Sequence, residues 1–193
     1  MKIIRWRRTA ALQRLLACAA LLAAQGAVAS PVDAQQRGAA PQRDCVTEMG
    51  ALPPRVDATA FAIDGDTLAG VGLKPRLRLW GIQAPELRDK QTGQETVPGM
   101  RARAALDDLL APGNRVTCRV AKFDRYCRYV AQCVAADGAT DLGAGMLTAG
   151  QAYGYWLEDT LPWAPAAGQA YIALERAARA ERRGLWADVL GKR

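Results

Sequence analysis

The chain of 193 residues contains no histidine. This excludes Ser-His-Asp and Cys-His catalysis, both of which need an imidazole base. Its cysteines include no C-x₂₋₄-C pair, so with no histidine ligand either, a zinc site is disfavoured. No internal repeat and no β-α-β alternation is visible along the sequence, which argues against a solenoid and a doubly wound sheet. Apolar runs are short. The longest candidate lies between Arg14 and Gln25, and a bilayer span needs ~20 residues.

That apolar run has another use. It follows the basic segment Met1–Arg8 and precedes Ala27-Val28-Ala29, a small-residue cleavage pattern before Ser30. Residues 1–29 therefore read as a signal peptide, and the expected location is periplasmic or secreted. Neither Arg7-Arg8 nor Leu15-Leu16-Ala17-Cys18 decides the export route. Cleavage removes five of the 26 basic residues and no acidic ones, leaving 21 against 19. The net charge falls from +7 to +2, so bulk charge is poor evidence for nucleic-acid binding.

Residues 30–43, rich in Gln, Ala, Pro and Arg, read as a disordered linker. The folded domain is expected over 44–190. Short strand patterns fall at 58–63, 67–70, 76–82, 115–120 and 129–134. Ala102, Leu106, Leu109 and Leu110 give helical spacing before Pro112-Gly113. Thr140-Asp141 can cap a second helix through Met146, ended by Gly150. A third helix runs from about Gly168 to Arg183, with Tyr171, Leu174 and Ala178 inward and Glu175→Arg179 outside. The expectation is an α+β domain: a five-stranded, OB-fold-like β-barrel with three helices.

Four cysteines remain after cleavage, and an even count in an exported chain suggests two disulfides. A hairpin turning between Arg125 and Tyr126 sets Cys118 opposite Cys133, at a Cα separation of ~4.5–5.5 Å. By subtraction Cys45 pairs with Cys127. The alternative is that these are free thiols.

Chemistry is concentrated in three segments. Asp64-Gly65-Asp66-Thr67 is a turn in which Asp caps and Gly is expected at positive φ. Leu77-Arg78-Leu79-Trp80-Gly81-Ile82-Gln83-Ala84-Pro85-Glu86 brings an arginine and a second acid. Asp124-Arg125-Tyr126-Cys127-Arg128 adds further arginines. Carboxylates beside two guanidinium groups suit phosphodiester cleavage, which needs a base for water and fixed positive charge. By motif and by order, from about Thr59 to Trp186, the chain resembles the thermonuclease (staphylococcal-nuclease-like) family. The resemblance implies a Ca²⁺-assisted nuclease acting on DNA, with RNA as a further substrate class; a monomer is expected. It implies Arg78, Glu86 and Arg128 as catalytic residues, with Glu86 as base or water-orienting group. Asp66 is the implied calcium ligand, and Arg125 and Tyr126 the implied contacts to a terminal phosphate.

Two departures from the family pattern stand out. Gln83 occupies the position of a second aspartate ligand, which weakens the cation site. Cys127 replaces a turn glycine, and is strained if the turn needs positive φ. Tyr153, Tyr155 and Trp156 lie where the family has aromatics beside the base, but the register is off and a core role is expected. Trp186, in Gly184-Leu185-Trp186, is expected to pack. The rival reading is a non-catalytic nucleic-acid- or protein-binding module whose metal site has decayed.

Overall fold

In the computed structural model the described residues are 44–111 and 113–190. The signal peptide and linker assigned to 1–43 lie outside them, as does Pro112. The chain runs through α1 (Cys45–Met49), β1 (Arg55–Ala62), β2 (Thr67–Gly70), β3 (Leu77–Leu79), β4 (Ile82–Gln83) and α2 (Val97–Leu110). It continues through β5 (Arg115–Phe123), β6 (Tyr129–Ala135), α3 (Leu142–Thr148), β7 (Tyr153–Gly154), α4 (Ala167–Ala180) and α5 (Leu185–Leu190). Five strands close a barrel in the order β1-β2-β3-β6-β5, with β3 and β6 parallel and the other pairs antiparallel. The result is the expected OB-fold-like α+β domain.

Three differences from the sequence reading have local causes. The strand expected over 76–82 is broken: Gly81 adopts φ 73°, and β4 leaves the barrel to pair with β7. There are five helices among the described residues rather than three. The additional two are only five and six residues long, too short to display a period. α1 is held by Asp44, whose side chain accepts from the amides of Val46 and Thr47. α5 starts directly after Gly184, so this glycine separates two helices instead of closing the domain.

The core is aliphatic and continuous from the barrel to the helices. Leu68, Leu77, Ile82, Leu106, Leu110, Leu142, Met146 and Leu147 are fully buried. Burying each such side chain contributes ~1.5–3 kcal/mol before conformational entropy is subtracted. α2 begins at Thr96, whose hydroxyl accepts from the amide of Gly99. α3 is capped by Asp141 as expected, and the same carboxylate accepts from the Tyr171 hydroxyl on α4 at 2.7 Å. Tyr171 and Ala178 are buried, and Glu175 pairs with Arg179 across one turn.

Cys118 and Cys133 are disulfide-bonded, with Cα atoms 4.0 Å apart, closer than an unlinked opposed pair. Cys45 is bonded to Cys127. The register that brings Cys118 to Cys133 arises differently from the sequence argument. Phe123 faces Tyr129, which centres the turn on Tyr126, and one extra residue on β5 at Ala121 forms a bulge. The two displacements cancel at the cysteine pair.

Candidate active site

The Asp64–Thr67 turn leads into β2 at one end of the barrel. Asp64 caps it by accepting from the amide of Asp66 at 3.0 Å. Gly65 is required for space and not for positive φ, contrary to the sequence expectation. It is absent from the positive-φ positions, and a Cβ there would come within 2.5 Å of the Ala84 Cβ and 2.6 Å of the Ala102 Cβ. The turn is thus clamped between the segment after β4 and helix α2.

Thr67 on β2 directly opposes Arg78 on β3, which brings the neighbouring Asp66 to the guanidinium. Asp66 is 5% and Arg78 8% exposed, so the pair is effectively out of water. Arg78 Nη1 lies 2.8 Å from Asp66 Oδ1. Its Nη2 donates to the Ile82 carbonyl and to Gln83 Oε1, both at 2.8 Å. The other Asp66 oxygen accepts from the Ala84 amide at 2.9 Å. Burial raises the Asp66 carboxyl from 3.8 to about 6, against the lowering pull of Arg78. Burial likewise pulls the Arg78 guanidinium below its usual value, opposed by Asp66 and reinforced by Arg128.

Arg128 reaches the same place from the β5–β6 turn. Asp124 organises that turn: one carboxylate oxygen accepts from the amides of Tyr126 and Arg128, the other from Arg128 Nε at 2.7 Å. Arg128 Nη1 then donates to the Thr67 hydroxyl at 3.3 Å, and that hydroxyl donates to Asp66 at 3.1 Å. One threonine therefore links the second arginine to the first through a shared carboxylate. Cys127 does have positive φ, at 58°, where the family pattern has glycine. Arg125 is exposed, with its guanidinium 4.8 Å from the centre of the exposed Tyr126 ring.

Glu86 differs in character. Its side chain is 57% exposed and pairs with Lys90 at 3.4 Å. Its backbone is fixed, however: the Thr96 hydroxyl donates to the Glu86 carbonyl at 2.7 Å. α2 approaches so closely that a Cβ on Gly99 would sit 2.4 Å from that same oxygen. The main chain of Glu86 is placed by a helix N-terminus while its carboxylate faces solvent.

The expected core role for Tyr153, Tyr155 and Trp156 is not met, since they are 39%, 43% and 59% exposed. The β4–β7 pairing sets Tyr153 opposite Gln83, and Tyr155 and Trp156 follow directly after β7, stacked on each other. Burial, Asp66 and Glu86 all raise the Tyr153 hydroxyl, and Arg78 lowers it. Tyr153 therefore lies within electrostatic reach of both arms of the site. Sequence reasoning missed it because the strand pair is two residues long. Thr67 and Asp124 were also missed as linking and anchoring groups. The signal that could have found Asp124 is its position opening a five-residue turn.

Calcium binding tests the donor set. No group of three or more His, Cys, Asp or Glu side chains suited to a metal occurs among the described residues. What the site offers is hard oxygen: the Asp66 carboxylate, Gln83 Oε1 and the Ala84 carbonyl, gathered within one hydrogen-bonded cluster. That chemistry fits Ca²⁺, although only one of the three carries charge. Each oxygen also serves an internal donor, since Arg78 holds Asp66 and Gln83, and Gln83 Nε2 holds the Ala84 carbonyl at 3.1 Å.

Comparison with known proteins supports the same direction. A protein of Escherichia coli O157:H7 named "Uncharacterized endonuclease" is 32% identical over 128 residues, covering 65% of this chain and 73% of its own. The protein of that name from Escherichia coli matches equally. "Succinoglycan biosynthesis protein ExoI" of Rhizobium meliloti (strain 1021) is 32% identical over 108 residues, 54% of each chain. The family described as "Staphylococcal nuclease homologue" matches residues 76–188, a span that holds Arg78, Gln83, Glu86 and Arg128 but begins after Asp66. With more than half of its length so matched, the chain belongs to the staphylococcal nuclease family.

Proposed function

We propose that this protein hydrolyses phosphodiester bonds of DNA or RNA at the Asp66–Arg78–Arg128 cluster, with Glu86 beside it. The observation that carries the reading is the linkage of two guanidinium groups, one from strand β3 and one from the β5–β6 turn, through Thr67 and Asp66. Two fixed cations at one barrel end suit a phosphate whose oxygens gain charge in the transition state. Arg78, buried and tied to β4, holds a fixed positive charge beside the phosphate. Arg128, more exposed, turns toward the charge that develops.

Glu86 accepts a proton from the attacking water as its oxygen bonds to phosphorus. The P–O bond on the opposite side breaks, and the leaving oxygen takes a proton from solvent. Asp66, Gln83 and the Ala84 carbonyl would hold a divalent cation, which when bound supplies Lewis acidity toward a phosphate oxygen. Asp66 has a second duty in any case: it orients Arg78. Export is part of the reading, supported by the leader pattern in residues 1–29 and by two disulfides, which persist in oxidising compartments. No helix among the described residues is long and apolar enough to cross a membrane.

Plasmid nicking with Ca²⁺ and with EDTA tests the proposal. Alanine at Arg78, Glu86 or Arg128 should each lower kcat by ~10²-fold or more. Unchanged cleavage by the Glu86→Ala protein overturns the mechanism. Binding of nucleic acid without any cleavage would instead favour the non-catalytic module.

A further inference from the structure

Cys127 is fully buried and holds a left-handed backbone, φ 58°, that side chains with a Cβ disfavour. Hydrogen bonds within the turn do not explain why a cysteine is tolerated there. The Cys127 amide donates to the Asp124 carbonyl at 3.0 Å, and the Asp124 amide donates to the Arg128 carbonyl at 3.0 Å. A glycine would make both bonds without strain. What cysteine adds is the bond to Cys45, 82 residues earlier in the chain, on the capped helix α1. The Cys45 sulfur lies 3.5 Å from the Asp124 carbonyl oxygen, so α1 rests on the same turn from outside.

The consequence concerns Arg128. It is the next residue after Cys127, and both its amide and its Nε are held by Asp124. A turn that relaxes away from positive φ at Cys127 swings the Arg128 backbone and breaks that double hold. The other disulfide provides a contrast. Cys118–Cys133 joins two strands already paired on both sides of it, at Val116–Ala135 and Val120–Ala131. Its loss leaves the Asp124–Arg128 turn with the same supports.

We propose that the Cys45–Cys127 disulfide is a positioning element for Arg128, doing by covalent tether what glycine does by conformational freedom, so that nuclease activity responds to thiol reductants. The proposal rests on the reading of Arg128 as a catalytic group.

The experiment uses the full chain, oxidised and then reduced by dithiothreitol under conditions where circular dichroism is unchanged. Two readouts are taken: kcat and KM for single-stranded DNA, and the NMR signal of the Arg128 Nε–H, assigned by its loss in Arg128→Lys. Reduction should lower kcat by ~10- to 10²-fold with a smaller change in KM, and should remove or shift the Arg128 signal. Cys45→Ser should behave like the reduced protein. Cys45→Ser/Cys127→Gly should recover most of kcat and the Arg128 signal, and should ignore dithiothreitol although it retains Cys118 and Cys133. A reduced wild type with full kcat and an unmoved signal overturns the proposal. So does a glycine double variant no better than Cys45→Ser. If the oxidised protein cleaves nothing, the nuclease reading fails, and the Arg128 signal alone still decides whether the disulfide positions that side chain.

Discussion

The two arms of the site are built on opposite principles. The Asp66–Arg78–Gln83 arm joins the turn before β2, barrel strand β3 and strand β4; Asp66 and Arg78 are nearly without solvent, and the three side chains hold partners at 2.8–3.1 Å. The second arm, Glu86 on one loop and Arg125–Tyr126 on another, has exposed side chains, while hydrogen bonds hold the Glu86 carbonyl and the Tyr126 amide. Fixed charges in a dry setting act on a phosphate without reorganising, which is where electrostatic catalysis gains most. A base must exchange protons with water and benefits from exposure. Arg128 bridges the two settings, partly buried and reaching from the loop arm to Thr67.

The comparison breaks if both arms respond alike to mutation. Arg78→Ala should show the largest effect, because it removes the fixed charge proposed to face the phosphate and also leaves the Asp66 carboxylate buried without its partner. Loss of one partner from a buried pair costs ~3–5 kcal/mol, so urea unfolding should reveal destabilisation together with the fall in kcat. Lys90→Ala, which removes the exposed partner of Glu86, should change stability by less than ~0.5 kcal/mol. Equal effects would show that the buried arm is not preorganised.

A pH experiment sharpens the contrast further. The Asp66 carboxyl is raised from 3.8 to about 6, with burial as the leading cause. Between those values the folded chain retains a proton that the unfolded chain has released. Stability contributed by this group is therefore present below the window and lost as pH rises through it. Urea titrations in EDTA at about pH 4 and about pH 6.5 should show wild type losing stability relative to Asp66→Asn across that interval. A wild-type minus Asp66→Asn difference independent of pH would mean that Arg78 offsets burial completely.

How much of this was legible in the sequence follows from the same division. Helical spacing disclosed the two 14-residue helices, and a capping pair and a closing glycine disclosed the seven-residue one. The short strand patterns pointed to a barrel whose specific topology came from the resemblance. The β4–β7 pair was not legible, because two residues show no period, and with it went the exposure of Tyr153, Tyr155 and Trp156. Resemblance supplied Asp66, Arg78, Glu86 and Arg128 as a set, and the fold brings Asp66, Arg78 and Arg128 into one connected cluster. It could not supply the burial of Asp66 and Arg78, nor the close approach of Ala84 and Ala102 to Gly65 from distant segments. Positive φ was expected at Gly65, which lacks it, while the condition raised for the Cys127 turn is met.

Gln83 tests whether the buried arm can also hold a cation. Gln83→Asp adds a second carboxylate to the Asp66 cluster and removes the amide that occupies the Ala84 carbonyl. The Ca²⁺ concentration for half-maximal cleavage should fall, and terbium luminescence should report tighter binding in the absence of substrate. An unchanged or higher requirement by both measures would place Gln83 outside any metal shell.

The smallest effect on turnover is expected at Tyr153, which feels the charges of both arms. Its ring is partly exposed, yet burial and the charges of Asp66 and Glu86 raise the hydroxyl above its ordinary value of 10. The group therefore keeps its proton throughout the working range and can act only as a hydrogen-bond donor toward an anion or as an acceptor from water. Its position opposite Gln83 on β7 sets it beside the phosphate that Arg78 would hold. Tyr153→Phe removes the donor and leaves the ring. A hydrogen bond to a charged group is worth ~1.5–3 kcal/mol, and partial exposure of the tyrosine reduces that. KM should rise by about threefold to tenfold while kcat changes less, since the bond is made to bound substrate as well as to the transition state. A fall in kcat with KM unchanged would instead assign Tyr153 to the chemical step. Identical kinetics for the two proteins would leave the ring, and not the hydroxyl, as the part that meets substrate.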